Sequence, residues 1–222
     1  MFMRYIIPLL LIVLLAACEQ APKADKATIT EAHPVKEGEG NTYVVDTAAS
    51  KLQWIGTKPT GKHTGHFSLQ EGKLYVKDKV ITGGNIIIRM NSLQNADLAK
   101  TDTVLQRKFE TELKGPLFFE VEKFPQATFE ITGVKDFKPS VNDEVVMKDA
   151  NYTIQGNLTI KNITKNISFP ASIKMENGII SASANFNIDR TLWGMNYRAD
   201  KSLQDKLINS LVNISFVISA KR

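Results

Sequence analysis

The chain is poor in the residues that carry most covalent and metal chemistry. Its 222 residues include one cysteine, three histidines and two tryptophans. A single cysteine excludes an internal disulfide, so any folded domain must be held by its core. Three histidines with no further thiol leave little for a metal centre. A Gly-x-Ser-x-Gly elbow, a His-Glu-x-x-His run, a phosphate loop and a dinucleotide fingerprint are all absent. No catalytic residue, metal ligand or cofactor site is therefore assigned. The formal charge of +5 comes from lysines scattered along the chain rather than stacked in a stripe. It reads as solvated surface, with weak attraction to anionic lipid as a minor option, and it does not point to nucleic acid.

Long apolar runs are also scarce. The one at the start, Tyr5 to Leu15, follows Arg4, contains Pro8 and is too short to span a bilayer comfortably. It ends in Leu15-Ala16-Ala17-Cys18, which resembles the bacterial lipobox, in which the cysteine is lipidated and becomes the new N-terminus. This predicts a signal peptide over residues 1–17, Cys18 as the lipidation site, and a membrane anchor of several acyl chains. Residues 18–41 lack aromatics apart from the ring of His33 and are rich in Ala, Lys, Glu, Pro and Gly, the composition of a flexible tether. The implied location is the bacterial cell envelope, lipid-anchored. Glu19 differs from the Asp that often retains lipoproteins at the inner membrane, so the expected site is the outer membrane, facing the periplasm.

From Tyr43 onward the hydrophobic pattern has a period of two. It is cleanest from Ile180 to Asp189, apolar at even positions down to Ile188, and it repeats in Val212 to Ala220. Further strands are predicted at Tyr43–Asp46, Lys51–Gly56, Gly72–Lys77, Gly84–Asn91, Ala127–Val134, Tyr152–Ile160 and Lys165–Met175, with Asn177-Gly178 marking a hairpin. Helical spacing occurs only from Asp97 to Lys114, where Leu98, Leu105, Phe109 and Leu113 recur before Gly115-Pro116, and more weakly over Ser202–Ser210. Eight or more antiparallel strands with one or two short helices make an all-β closed barrel or sandwich, in one domain over residues 42–222.

The pair His63 and His66 in GKHTGHF raises the question of a metal or acid–base site. Read as a strand, His63, Gly65, Phe67 and Leu69 face one way and His66 the other, which parts the two rings. Only a bulge at Gly65 would bring them together. The aromatics Trp54, Phe67, Phe118, Phe119, Phe124, Phe129, Phe186, Trp193 and Phe216 are many large groups for a modest barrel. They either fill it or line a space for an elongated apolar guest, for which the small residues Ala182, Ala184 and Gly156 would leave room. The five Asn-x-Ser/Thr triplets, at Asn151, Asn157, Asn162, Asn166 and Asn213, read as chance in an Asn- and Thr-rich strand sequence.

One ordered set of motifs goes further. Tyr43-x-x-Asp46, Ser50-x-Leu52-x-Trp54, Gly61-x-His63-x-Gly65-x-Phe67, Gly72-x-Leu74 and Ser92-Leu93 are followed by Phe118-Phe119, Phe124-Pro125-x-Ala127-x-Phe129, Gly156-x-Leu158-Thr159-Ile160 and Phe186-x-Ile188-x-Arg190-x-x-Trp193-Gly194-Met195. In this order and spacing the stretch from about residue 42 to 221 resembles the YceI-like family. The resemblance implies a lipocalin-like antiparallel barrel around a long apolar tunnel that binds or carries polyisoprenoids, isoprenoid quinones or related amphiphilic lipids without catalysis. The tunnel or mouth positions read from the inferred strand faces are Trp54, His63, Phe67, Phe118, Phe119, Phe129, Phe186, Arg190 and Trp193, with His63, Arg190 or Asn187 placed near the mouth to meet a head group. The rival reading is a filled barrel that docks an envelope partner. A third, an enzyme built on His63 and His66, requires a metal or a His63-dependent activity. The polar segment Asp136–Ala150 is longer than the family pattern suggests and bears on the tunnel mouth.

Overall fold

The computed structural model describes residues 20–139 and 145–222, so the signal peptide, Cys18 and residues 140–144 lie outside the described residues. The sheet strands are β1 (Asp25–Lys26), β2 (Thr28–Glu31), β3 (Asn41–Val45), β4 (Lys51–Lys58), β5 (Gly61–Lys77), β6 (Val80–Asn95), β7 (Gln126–Asp136), β8 (Tyr152–Ile160), β9 (Ile163–Glu176), β10 (Ile179–Asp189) and β11 (Leu211–Lys221). One α-helix, α1 (Thr103–Lys114), joins β6 to β7, preceded by a 3-10 turn at Leu98–Lys100. Asp102 caps α1 by accepting from the amides of Val104 and Leu105. Two more 3-10 turns, Arg190–Trp193 and Lys201–Lys206, lie between β10 and β11. No helix among the described residues is long and apolar enough to cross a membrane.

Antiparallel pairing runs β5–β6–β7–β8–β9–β10–β11 and returns to β5 through β3 and β4, which together form one interrupted strand between β11 and β5. The result is a closed eight-stranded antiparallel barrel, one of the two architectures that the alternation allows. The interruption falls at Asp46–Ser50, where Asp46 Oδ1 accepts from the Ala49 amide. Asn177 and Gly178 both take positive φ, at 51° and 74°, in the tight β9–β10 hairpin their sequence predicts.

Inward side chains of β8 to β11 build the main core, with Ile180, Ala171, Ala220 and Trp193 wholly buried. The phase of β5 changes along its length: Phe67 and Leu69 face inward, but so do Leu74 and Val76. A register irregularity between Leu69 and Glu71 shifts the alternation by one residue, as a β-bulge does.

The tether prediction fails from Asp25 to Glu31. There β9 and β10 pair with each other only over Ser172–Glu176 and Ile179–Ser183, and then diverge. The N-terminal segment fills the seam: β1 runs parallel to β10 at Phe186 and Asn187, and β2 antiparallel to β9 at Lys165–Ser168. Only Ala27 and the half-buried Ile29 pack against the core, too little for the composition to disclose the strand. Hydrogen bonds hold it instead. Asn187 Nδ2 donates to the Pro22 carbonyl, the Val146 and Met147 amides donate to the Asp25 carboxylate, and Asn157 bonds both the amide and the carbonyl of His33. Asn157, Asn166 and Asn213 are buried and bonded within the wall, so three of the Asn-x-Ser/Thr asparagines serve the sheet.

Candidate ligand-binding cavity

A cavity of about 510 Å³ occupies the barrel interior, in the range of ordinary small-molecule sites. One strand gives its depth. His63, Phe67, Leu69 and Leu74 of β5 all line it. Eleven residues at ~3.3 Å each, on a strand tilted by ~40°, place the ends roughly 25–30 Å apart along the barrel. Its middle is walled by aromatic rings: Phe169 stacks on Phe186 with centroids 4.1 Å apart, and Phe216 meets both edge-on. Toward the other side Phe67 stands edge-on to Phe119 at 5.5 Å. Leu74, Ile81 and Ile218 close the deep end and are each almost fully buried.

The mouth lies where lining residues are also exposed: Lys58 at the end of β4, Leu105 and Glu112 on α1, and Arg198 and Lys206 in the β10–β11 connection. Leu105 and Phe109 belong to the apolar stripe that marks α1 in the sequence, and here they form a lip rather than core.

Of the positions suggested for the ligand, Trp54, His63, Phe67, Phe118, Phe119, Phe129, Phe186 and Arg190 line the cavity. Trp193 does not. It is wholly buried behind the wall and its indole N–H donates to the Leu158 carbonyl at 3.0 Å. Asn187 is also away from the cavity, committed to Asn213 and Pro22. Arg190 lines the cavity, but each of its three guanidinium nitrogens already donates: Nε to Asn209 O, Nη1 to Met195 O, and Nη2 to Tyr197 O and Ile208 O. Burial holds its pKa below the usual value, against the opposing pull of Asp189. This guanidinium fastens the β10–β11 connection. Gly156 leaves no room either, because the Phe129 ring occupies its Cβ position, with Cζ 2.3 Å from where that atom would be. Ala182 does line the cavity, whereas Ala184 lines a separate shallow depression beside Val146 and Met147. The described part of the 136–150 insertion is thus near the N-terminal seam, away from the mouth.

The histidines part as the strand reading predicts. His63 faces the cavity against Phe109, with ring centroids 4.4 Å apart, and His66 does not line it. His63 Nδ1 lies 2.8 Å from Asp97 Oδ2. Burial pushes the Asp97 carboxyl up, but the Thr64 amide, His63 and Asn95 together hold it below the usual carboxylate range. An ionised carboxylate only accepts, so Nδ1 carries the proton and donates. Among the described residues no three His, Cys, Asp or Glu side chains are grouped to hold a metal. Asp97 escaped the sequence reading, since nothing local ties it to a histidine 34 positions earlier.

Comparison with known proteins accords with this geometry. The YceI-like domain model matches residues 43–220. The chain belongs to the YceI-like family. Among solved structures, BcnA of Burkholderia cenocepacia superposes with a TM-score of 0.56 at 20% identity, over 79% of this chain and 98% of that one. A polyisoprenoid-binding domain from Saccharophagus degradans, implicated in plant cell wall breakdown, gives 0.57 at 14% identity, over 81% and 97%. A YCEI protein of Campylobacter jejuni gives 0.50 at 14%, over 70% and 84%. At these identities the likeness is one of fold. A search of curated proteins returns no match.

Proposed function

We propose that this YceI-like barrel binds or carries a long-chain isoprenoid or another amphiphilic lipid, without catalysing a reaction on it. The single observation behind this is the elongated cavity, walled by Phe, Leu and Ile along its length and open at one end. Burying an apolar chain there yields roughly 25 cal/mol per Å² removed from water. A polyisoprenoid is the favoured tail, because a structural neighbour of the same fold is a polyisoprenoid-binding domain. A filled barrel that only docks a partner calls for a packed interior, which the cavity argues against. The same proposal places the protein in the bacterial envelope, held at the outer membrane by acyl chains on Cys18 and facing the periplasm.

Native mass spectrometry of protein purified without detergent, with lipid extraction of the same sample, tests the binding. A co-purifying lipid, or stoichiometric uptake of a polyprenol or quinone by delipidated protein, is the expected result. Recovery of neither overturns the reading. Radiolabelled palmitate incorporation that disappears in Cys18→Ser tests the anchor.

A further inference from the structure

The charge at the mouth says something about the head group. Six ionisable side chains line the cavity: Lys58, Arg190, Arg198 and Lys206 as cations, Glu112 as the one carboxylate, and His63. Lys58, Arg198 and Lys206 stand exposed around the opening from two different segments of the chain. Arg190 lies beneath them at 4% exposure, and all four of its hydrogen bonds go to neutral carbonyl oxygens. Such bonds satisfy its N–H groups without neutralising its charge. Among the described residues no carboxylate forms an ion pair with Arg190, Lys58, Arg198 or Lys206. Asp189, which pulls on Arg190 electrostatically, accepts from the amide and hydroxyl of Thr191, and Asp97 accepts from His63, Thr64 and Asn95. Three exposed cations against one carboxylate around the opening, with Arg190 beside Asp189 beneath them, give the entrance of a low-dielectric cavity an excess of positive charge where a ligand's polar end must sit.

We propose that this cavity prefers amphiphiles with an acidic head group, a phosphate or a carboxylate, over neutral ones, with Lys58, Arg198 and Lys206 in contact with the head and Arg190 supporting it from below. The proposal rests on the lipid-binding reading above and adds the head-group class to it. A neutral prenol or quinone would fill the tail site but leave the rim's charge unanswered.

Matched pairs separate the two readings: farnesyl phosphate against farnesol, and oleate against oleyl alcohol, titrated into delipidated protein with Trp54 fluorescence as the signal. The acidic partner is expected to bind at least about tenfold more tightly at low ionic strength, with the preference shrinking as salt shortens the screening length. In Lys58→Glu/Arg198→Glu/Lys206→Glu, the ratio of acid to alcohol affinity should fall to about one or below, with an unchanged melting temperature confirming the fold. Reversing Lys51, Lys73 and Lys174, exposed and outside the lining, controls for overall charge and should leave the preference intact. Equal affinity for acid and alcohol overturns the head-group assignment and leaves lipid binding standing. Failure of all four probes to bind overturns both. Competition by inorganic phosphate alone at comparable affinity would assign the rim to a free anion instead. Charge-dependent sedimentation with phosphatidylglycerol vesicles, with no acid preference in solution, would assign it to a membrane surface.

Discussion

Trp54 and Trp193 are the two tryptophans of one barrel, and their walls treat the same indole in opposite ways. Trp193 is wholly buried in the Arg190–Trp193 turn, its N–H paired with Leu158 and its ring held in the main core. Trp54 borders the cavity beside Leu93, Leu113 and Phe118, and its Nε1 is the buried side-chain donor left without a partner among the described residues. Its six-membered ring lies over Gly65, where a Cβ would come within 2.3 Å of Cζ2. One wall is built for stability, with each polar group satisfied. The other leaves the indole N–H without a protein acceptor among the described residues and keeps a ring along the space.

Breaking the packed wall should cost most. Trp193→Ala is expected to destabilise by about 3–5 kcal/mol, lowering the melting temperature by roughly 10 °C in a thermal scan. Arg190→Met should lose about 3 kcal/mol and, in hydrogen exchange, release protection across the β10–β11 connection, because four carbonyls lose their shared donor. Lysine there should not rescue it, lacking the planar fork. Gly156→Ala should cost about 1–3 kcal/mol and drive the Phe129 ring into the cavity, so its signature is reduced uptake of lipid alongside the lower melting point.

The mouth side predicts smaller changes. Trp54→Phe removes an unpaired donor together with some volume, so its net effect should lie within about 1 kcal/mol, while ligand-induced fluorescence change is lost. That change surviving in Trp54→Phe would reverse the roles given to the two indoles. Asp97→Asn is the mildest. The folded-state pKa of Asp97 is lowered, so its contribution is present above the ordinary carboxyl value, about 3.9, and is lost as pH falls through the lowered one. With its side chain about one-third exposed, screening keeps this below about 1 kcal/mol. Wild type and variant should therefore differ at neutral pH and converge in acid unfolding once the pH has fallen through the lowered carboxyl value.

Period-two alternation made the barrel legible, and helical spacing made α1 legible, because both are local consequences of side-chain direction. The same rule set His63 with Phe67 on the inward face and His66 on the other. It could not separate lining from packing, since both point inward. Trp193 and Phe186 share a motif, but one is sealed behind the wall and the other borders the space. Arg190 stands in the sequence as a head-group candidate, yet its hydrogen bonds go to four backbone carbonyls that only the folded β10–β11 connection brings together. Gly156 promised room that Phe129, on the same strand as its pairing partner Ile131, already takes. The N-terminal strands were hidden because asparagine hydrogen bonds hold them, and a hydrophobic pattern carries no trace of those.

Those strands also set a distance. A free chain from Cys18 to Asn41 could extend ~80 Å, at about 3.5 Å per residue. The bond from Asn187 fixes the backbone already at Pro22, which leaves some four residues, or ~14 Å, between that point and the cysteine. A molecule anchored at Cys18 would therefore sit close against the bilayer, with a short radius of travel. It would meet its lipid at the membrane surface, without sweeping the space beyond it.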